Sequence, residues 1–188
     1  MKKMIFGVFA GAGVFFLWMC LSWMLFPWRE HKIKVLPEEQ LIMDTLRVVV
    51  KEPGLYSFPF YKTVDGQMDE KGWMERHSKG PIGYMAYFPG GKAPLSAGQV
   101  VAAFLTSLGA AFIAMLLLML SRDRVQAFIP RVGLVTLLGL LVWVVADVSL
   151  WNWFLFPMNV TLLSLFDDVM AFGLMGFFLA NAVPSEKK

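Results

Sequence analysis

Four long apolar runs alternate with polar segments along the chain, at about Met4–Phe26, Ala97–Leu120, Val132–Leu150 and Val160–Val183. Each approaches the ~20 residues that a helix rising ~1.5 Å per residue needs to cross ~30 Å of hydrocarbon. The pattern predicts an all-α membrane protein with four transmembrane helices. Helix 1 lies within residues 1–27 and helices 2–4 within 97–188 (about 97–120, 132–150 and 160–183). The sizeable polar part, residues 28–96, is predicted to form a small mixed α/β extracytoplasmic cap between helices 1 and 2.

Within the cap, VLPEEQLIMDTLRVVV reads as a short helix. Pro37 suits a first-turn position, acids follow it, and Leu41, Leu46 and Val49 share a face. PGLYSFPFY and GPIGYMAYFPGG, rich in aromatics and bounded by Gly and Pro, read as two short strands or extended arms. The polar stretch between them, KTVDGQMDEKGWMERHSKG, reads as a loop. So short a segment is poorly suited to build an independent core, and is expected to rest on the membrane helices.

The distribution of charge orients this layout. Lys2 and Lys3 precede helix 1, Arg122, Arg124 and Arg131 fall between helices 2 and 3, and Lys187 and Lys188 end the sequence. The connection WNWFLFPMN between helices 3 and 4 carries no charge. The positive-inside rule then puts both termini and the 121–131 loop in the cytoplasm, as expected for a multi-pass protein of the cell inner (cytoplasmic) membrane. Trp23, Trp28, Trp151 and Trp153 fall at the outer interface, where an amphipathic ring is most stable, whereas Trp18 and Trp143 are deeper and suit packing. Helix 1 begins MKK but is too long and lacks a small-residue cleavage site, so it reads as an uncleaved anchor.

Composition narrows the functional classes. With 57% of residues hydrophobic, this is no ordinary soluble domain. A net charge of +3 follows the topology and makes no case for nucleic acid. The single Cys20 excludes an intramolecular disulfide framework and a Cys-rich metal site, and suits apolar packing. Small residues at four-residue spacing mark helix-packing faces: Gly7 and Gly11 in helix 1; Ala102, Thr106, Ala110 and Ala114 in helix 2, with a second row of Ala103, Ser107 and Ala111; Gly176 and Ala180 in helix 4. Such spacing lets backbones approach in lipid.

The candidate chemistry lies in three aspartates within otherwise apolar runs: Asp147 in VWVVADVSL, and Asp167 and Asp168 in TLLSLFDDVMAF. A carboxylate in hydrocarbon costs several kcal/mol unless it is paired, protonated or facing water. Asp147 is expected near the outer edge of the hydrocarbon, Asp167 and Asp168 somewhat below it. Thr161, Ser164 and Asp168 share one polar face of helix 4. The inner half is bare: helix 3 before Asp147 offers only Thr136, and a proton or ion pathway would need polar groups right across the membrane. Three readings stand. The aspartates are structural, paired with Arg29, Lys32, Lys34 or Lys92 or bonded to Ser, Thr, Asn and Trp groups. Or they take a basic residue of a partner subunit. Or they bind a cation or small ligand. His31 and His77 read as solvated interfacial side chains. No catalytic motif, phosphate loop or metal-ligand spacing occurs, and no cofactor is expected.

The tryptophan-rich end of helix 1 (Trp23–Trp28), PGLYSFP, GPIGYMAYFPGG and the pattern D-x-x-L-W-N-W-F-x-F-P starting at Asp147 resemble an uncharacterised family of small bacterial four-helix integral membrane proteins. The likeness runs along most of the chain; it implies the four-helix layout and no activity. The expectation is a non-catalytic membrane protein, a structural or accessory subunit of a larger membrane assembly. Its partners are then the lipid bilayer and other membrane subunits or further copies of itself. The alternative is cation or small-ligand binding or transport at an outer pocket lined by Asp147, Asp167 and Asp168, and an enzyme comes third.

Overall fold

A computed structural model describes residues 2–26, 33–64 and 67–184. Trp28, Arg29, His31, Lys32, Lys187 and Lys188, all used in the reading above, lie outside the described residues. The chain is mostly helical and divides into two compact units, residues 1–34 with 94–188, and Val35–Ala93.

The larger unit holds the four long apolar helices. They are α1 (Lys2–Met24); α4 (Ala97–Leu120); a continuous helical stretch Phe128–Phe154 made of α5 (Phe128–Val142), a π turn (Trp143–Asp147) and α6 (Val148–Phe154); and α7 (Met158–Ala182). All four are long and apolar enough to cross a membrane. α4 starts at a capping box: Gln99 N–H donates to Ser96 Oγ, and the Gln99 carboxamide oxygen accepts from Ser96 N–H at 3.0 Å. Two of the first-turn groups that a helix leaves unsatisfied are met this way.

α7 packs along both α1 and α5, α1 packs along α4, and α4 also touches α7 and α5. The core follows α7: Ala171, Met175 and Leu179 are fully enclosed, with Ala12 of α1, Ala111, Ala114 and Leu118 of α4 and Val135 of α5. Close approach is set by small residues. A Cβ at Gly7 would overlap the Ala182 methyl, and one at Gly11 would press on Leu179 and Met175 at 3.2–3.3 Å. At Gly139 it would lie 2.6 Å from the Asp168 carbonyl oxygen, and at Gly176 3.0 Å from Val135. In α4 the buried row is Ser107, Ala111, Ala114 and Leu118, while Ala102 and Thr106 are exposed and Ala110 half-buried.

The smaller unit contains α2 (Glu39–Val49), β1 (Gly54–Phe58), β2 (Thr63–Val64), β3 (Gln67–Met68), α3 (Glu70–Lys79) and β4 (Gly83–Tyr87). β1 pairs antiparallel with β4, from Gly54 opposite Tyr87 to Phe58 opposite Gly83, and β2 pairs with β3. A Cβ at Gly83 would lie 2.8 Å from the tip of the Phe58 ring, so the exposed ring would have to swing aside. α2 starts two residues after Pro37, behind Glu38 in a left-handed conformation (φ 51°), and not on Pro37 itself.

The stretch read as a polar loop is instead partly ordered. Asp69 caps α3 by accepting from Gly72 N–H at 2.8 Å, and it pairs with Arg76 two turns on. Trp73 stacks on Tyr61 at 4.5 Å and donates its indole N–H to the Pro59 carbonyl. Local capping and one aromatic contact thus make a helix where hydrophobic periodicity is absent. Among the described residues of this unit none is buried.

Candidate functional site

The polar residues inside the long helices are positioned mainly by α7. Asp167 is buried, and its Oδ1 accepts from Ser22 Oγ at 2.6 Å, joining the C-terminal part of α1 to α7. This length lies within the ordinary O–H···O range. Trp18 sits one turn before Ser22 on α1 and packs edge-on against Phe166 of α7 at 5.9 Å, with Phe26 at 6.0 Å. Its indole nitrogen is buried and has no acceptor among the described residues.

Thr161 is also buried, and its carbonyl accepts the Trp143 indole N–H at 2.7 Å. Trp143 opens the π turn. There the chain adds one residue to a helical turn, shown by the Val148 N–H donating to the Trp143 carbonyl. One extra residue rotates everything beyond it by about 100° relative to an uninterrupted α-helix. The turn therefore decides the face on which Asp147, its last residue, emerges. Asp147 is half-buried and accepts no hydrogen bond among the described residues.

Asp168 and Ser164 are half-buried. The Asp168 backbone carbonyl lies against Gly139 of α5, while the neighbouring Asp167 side chain meets α1. The two adjacent aspartates thus stand where different helices meet α7, as a ~100° step per residue requires. Among the described residues no three His, Cys, Asp or Glu side chains approach closely enough to hold a metal ion.

The end of the bundle described as bare holds Arg131, which corrects that reading. α5 begins at Phe128, several residues before the expected start of the span, so Arg131 lies inside the helix and is buried. Its Nε donates to the Val125 carbonyl at 2.9 Å. Its Nη1 donates to Val183 O at 2.9 Å and Ala180 O at 3.5 Å, and its Nη2 to Pro184 O at 3.3 Å. The planar fork thereby satisfies carbonyls that the end of α7 leaves free, and its charge lies at the negative end of the helix dipole.

Sequence reasoning treated Arg131 as a topology signal and Trp143 as packing. The available signal was a basic residue beside Pro130 at the foot of an apolar run, level with the end of another. Gly139 was not singled out at all. The helix-packing residues Gly7 and Gly11 sit where α1 meets α7, and Gly176 where α7 meets α5.

Chemically, these groups join helix to helix: Ser22 to Asp167 across α1 and α7, Trp143 to Thr161 across α5 and α7, and Arg131 across the foot of the same pair. Comparisons with protein-family models, with curated proteins and with solved structures gave no match to the chain.

Proposed function

We propose that this protein is a non-catalytic integral membrane protein, a structural or accessory subunit of a larger assembly in a bacterial inner membrane. The observation that carries this reading is the bond of Asp167, the most deeply buried carboxylate, to Ser22 on a neighbouring helix. A carboxylate used to join two helices is spent on structure. The buried Arg131 is spent in the same way on backbone carbonyls. Meanwhile α4 leaves Ala102, Thr106, Phe112 and Ile113 exposed, a face suited to lipid or to a further helix.

The same proposal places both termini in the cytoplasm and the unit Val35–Ala93 outside, because Lys2, Lys3, Arg122, Arg124 and Arg131 cluster at one end of the spans. The likeness to small bacterial four-helix membrane proteins belongs to it as well. In a Cys20→Ser background, single cysteines at positions 152–158 should label in intact cells, and those at 122–127 only after permeabilisation. Outside labelling at 122–127 would reverse the orientation.

A second reading has one observation in its favour. Asp147 ends a π turn, a feature frequent at functional sites, and has no hydrogen-bond partner among the described residues. It would make Asp147, with Asp167 and Asp168, part of an outer cation or small-ligand site. Purification in mild detergent, with mass measurement and identification of co-purifying proteins, separates the two. A stoichiometric partner supports the accessory role. A lone protein whose melting point rises with an added cation, and loses that rise in Asp147→Asn, supports the second reading.

A further inference from the structure

The geometry points to a lipid site that none of the polar residues above forms. α1 and α4 run antiparallel, with Gly7 beside Met115 and Phe16 against Phe104, and a groove of about 510 Å³ lies between them. This falls in the ~300–1,000 Å³ range of small-molecule sites. Its walls are almost wholly apolar: Ile5 and Phe9 from α1, and Leu105, Phe112 and Leu116 from α4, with Gly109 leaving the α4 wall low. A Cβ at Gly109 would meet nothing within 4 Å. Along α4 the lining runs from Leu105 to Met119, roughly 21 Å at ~1.5 Å per residue, enough to take a chain through one leaflet of ~15 Å hydrocarbon.

The occupant is indicated by the charge at one end. Met4 and Met119 line the groove together, so the start of α1 lies beside the end of α4. Lys2 and Lys3 precede Met4, and Arg122 and Arg124 follow Met119 in the turn 121–124; Lys2, Lys3 and Arg124 are exposed. Asp123, in contact with Arg122 at 3.3 Å, is the acid in that turn. Among the described residues, four cations and one carboxylate therefore flank the methionines at this end of the groove. A second groove along α5, lined by Val125, Ile129, Leu137, Leu140 and Val169, shares Arg124 next to Val125 but has no lysines from the start of α1. The other basic residue beside it, Arg131, is buried and bonded to carbonyls.

We propose that the α1–α4 groove binds an anionic glycerophospholipid, one acyl chain lying along Gly109 and the phosphate headgroup among Lys2, Lys3, Arg122 and Arg124. Apolar walls select a chain and basic ends select charge, the combination by which pockets between spanning helices recognise acidic lipids. The proposal rests on the long helices being membrane spans. It does not depend on which side is cytoplasmic or on an accessory role.

The test uses the full chain in neutral detergent, with phosphatidylglycerol or phosphatidylcholine added and melting followed by tryptophan fluorescence. Phosphatidylglycerol should stabilise at lower concentration, by roughly fivefold for each cation engaged. The double variant Lys3→Gln/Arg124→Gln should retain the phosphatidylcholine response and lose the difference. Gly109→Leu, whose Cβ would meet nothing within 4 Å and whose side chain would fill the groove, should fold normally and lose the response to both. Equal stabilisation of the wild-type protein by the two lipids would overturn the proposal. So would full stabilisation by inorganic phosphate, which has no acyl chain. A wild-type dimer that Gly109→Leu dissociates would assign the groove to a second copy instead. Should the variants misfold, lipid extracted from wild-type protein decides: enrichment of anionic species over the parent membrane supports the site, and bulk composition refutes it.

Discussion

Replacing Arg131 by Met keeps an unbranched, apolar side chain of similar reach and removes every donor of the guanidinium. Three carbonyls at the end of α7 and one in the preceding turn then lose their partner. Hydrogen bonds to a charged group contribute ~1.5–3 kcal/mol each, but they are not additive, and the 3.5 Å contact to Ala180 is weak. The carbonyls of Val183 and Pro184 lie at the end of the bundle, where water can take over part of the bonding. A net loss of about 2–3 kcal/mol follows, including the lost interaction with the helix dipole. For a chain of this length that corresponds to a fall in melting midpoint of about 4–12 °C.

Arg131→Lys should recover only part of the loss, because an ammonium cannot reproduce the planar fork. Arg124→Met, which removes an exposed charge from the same connection, should leave the midpoint of lipid-free protein in detergent almost unchanged. Cys20, the sole cysteine, provides a thiol for a dye-based melting assay. Hydrogen exchange supplies the local readout: amides of residues 179–183 should lose protection in Arg131→Met while those of α4 keep theirs. If Arg131→Met melts with the wild-type protein and residues 179–183 exchange no faster, the guanidinium does not hold this end of the bundle and the assignment fails.

Three further outcomes follow from the packing. Gly7→Ala should destabilise by about 1–3 kcal/mol through overlap with the Ala182 methyl, and Ala182→Gly should rescue it, whereas Gly13→Ala, which meets nothing within 4 Å, should be silent. A double-mutant cycle of Ser22→Ala and Asp167→Asn should give a coupling of roughly 0.5–3 kcal/mol, and additive melting shifts would show that their bond does not contribute. Residues 28–96 expressed alone should give poorly dispersed NMR spectra with rapid amide exchange, since no described residue of Val35–Ala93 is buried; a dispersed, protected spectrum would contradict this.

The sequence by itself determined the four long helices, because length and hydropathy are local properties and a helix in hydrocarbon satisfies its own backbone. It also marked β1 and β4 through their Gly and Pro boundaries. It indicated that the aspartates are exceptional, since each interrupts an apolar run. It did not reveal α3, whose stability comes from the Asp69 cap and the stacking of Trp73 on Tyr61 rather than from a periodic apolar face.

Which polar group meets which was decided only by the tertiary structure. Ser22 and Asp167 are 145 residues apart, and Arg131 lies 52 residues from Val183. No spacing rule links such positions; each pairing exists because α7 lies between α1 and α5. The face presented by Asp147 depends on a one-residue π insertion at Trp143, which hydropathy cannot register. The groove along Gly109 likewise exists only because two antiparallel helices, each unremarkable alone, lie side by side where one of them carries no side chain.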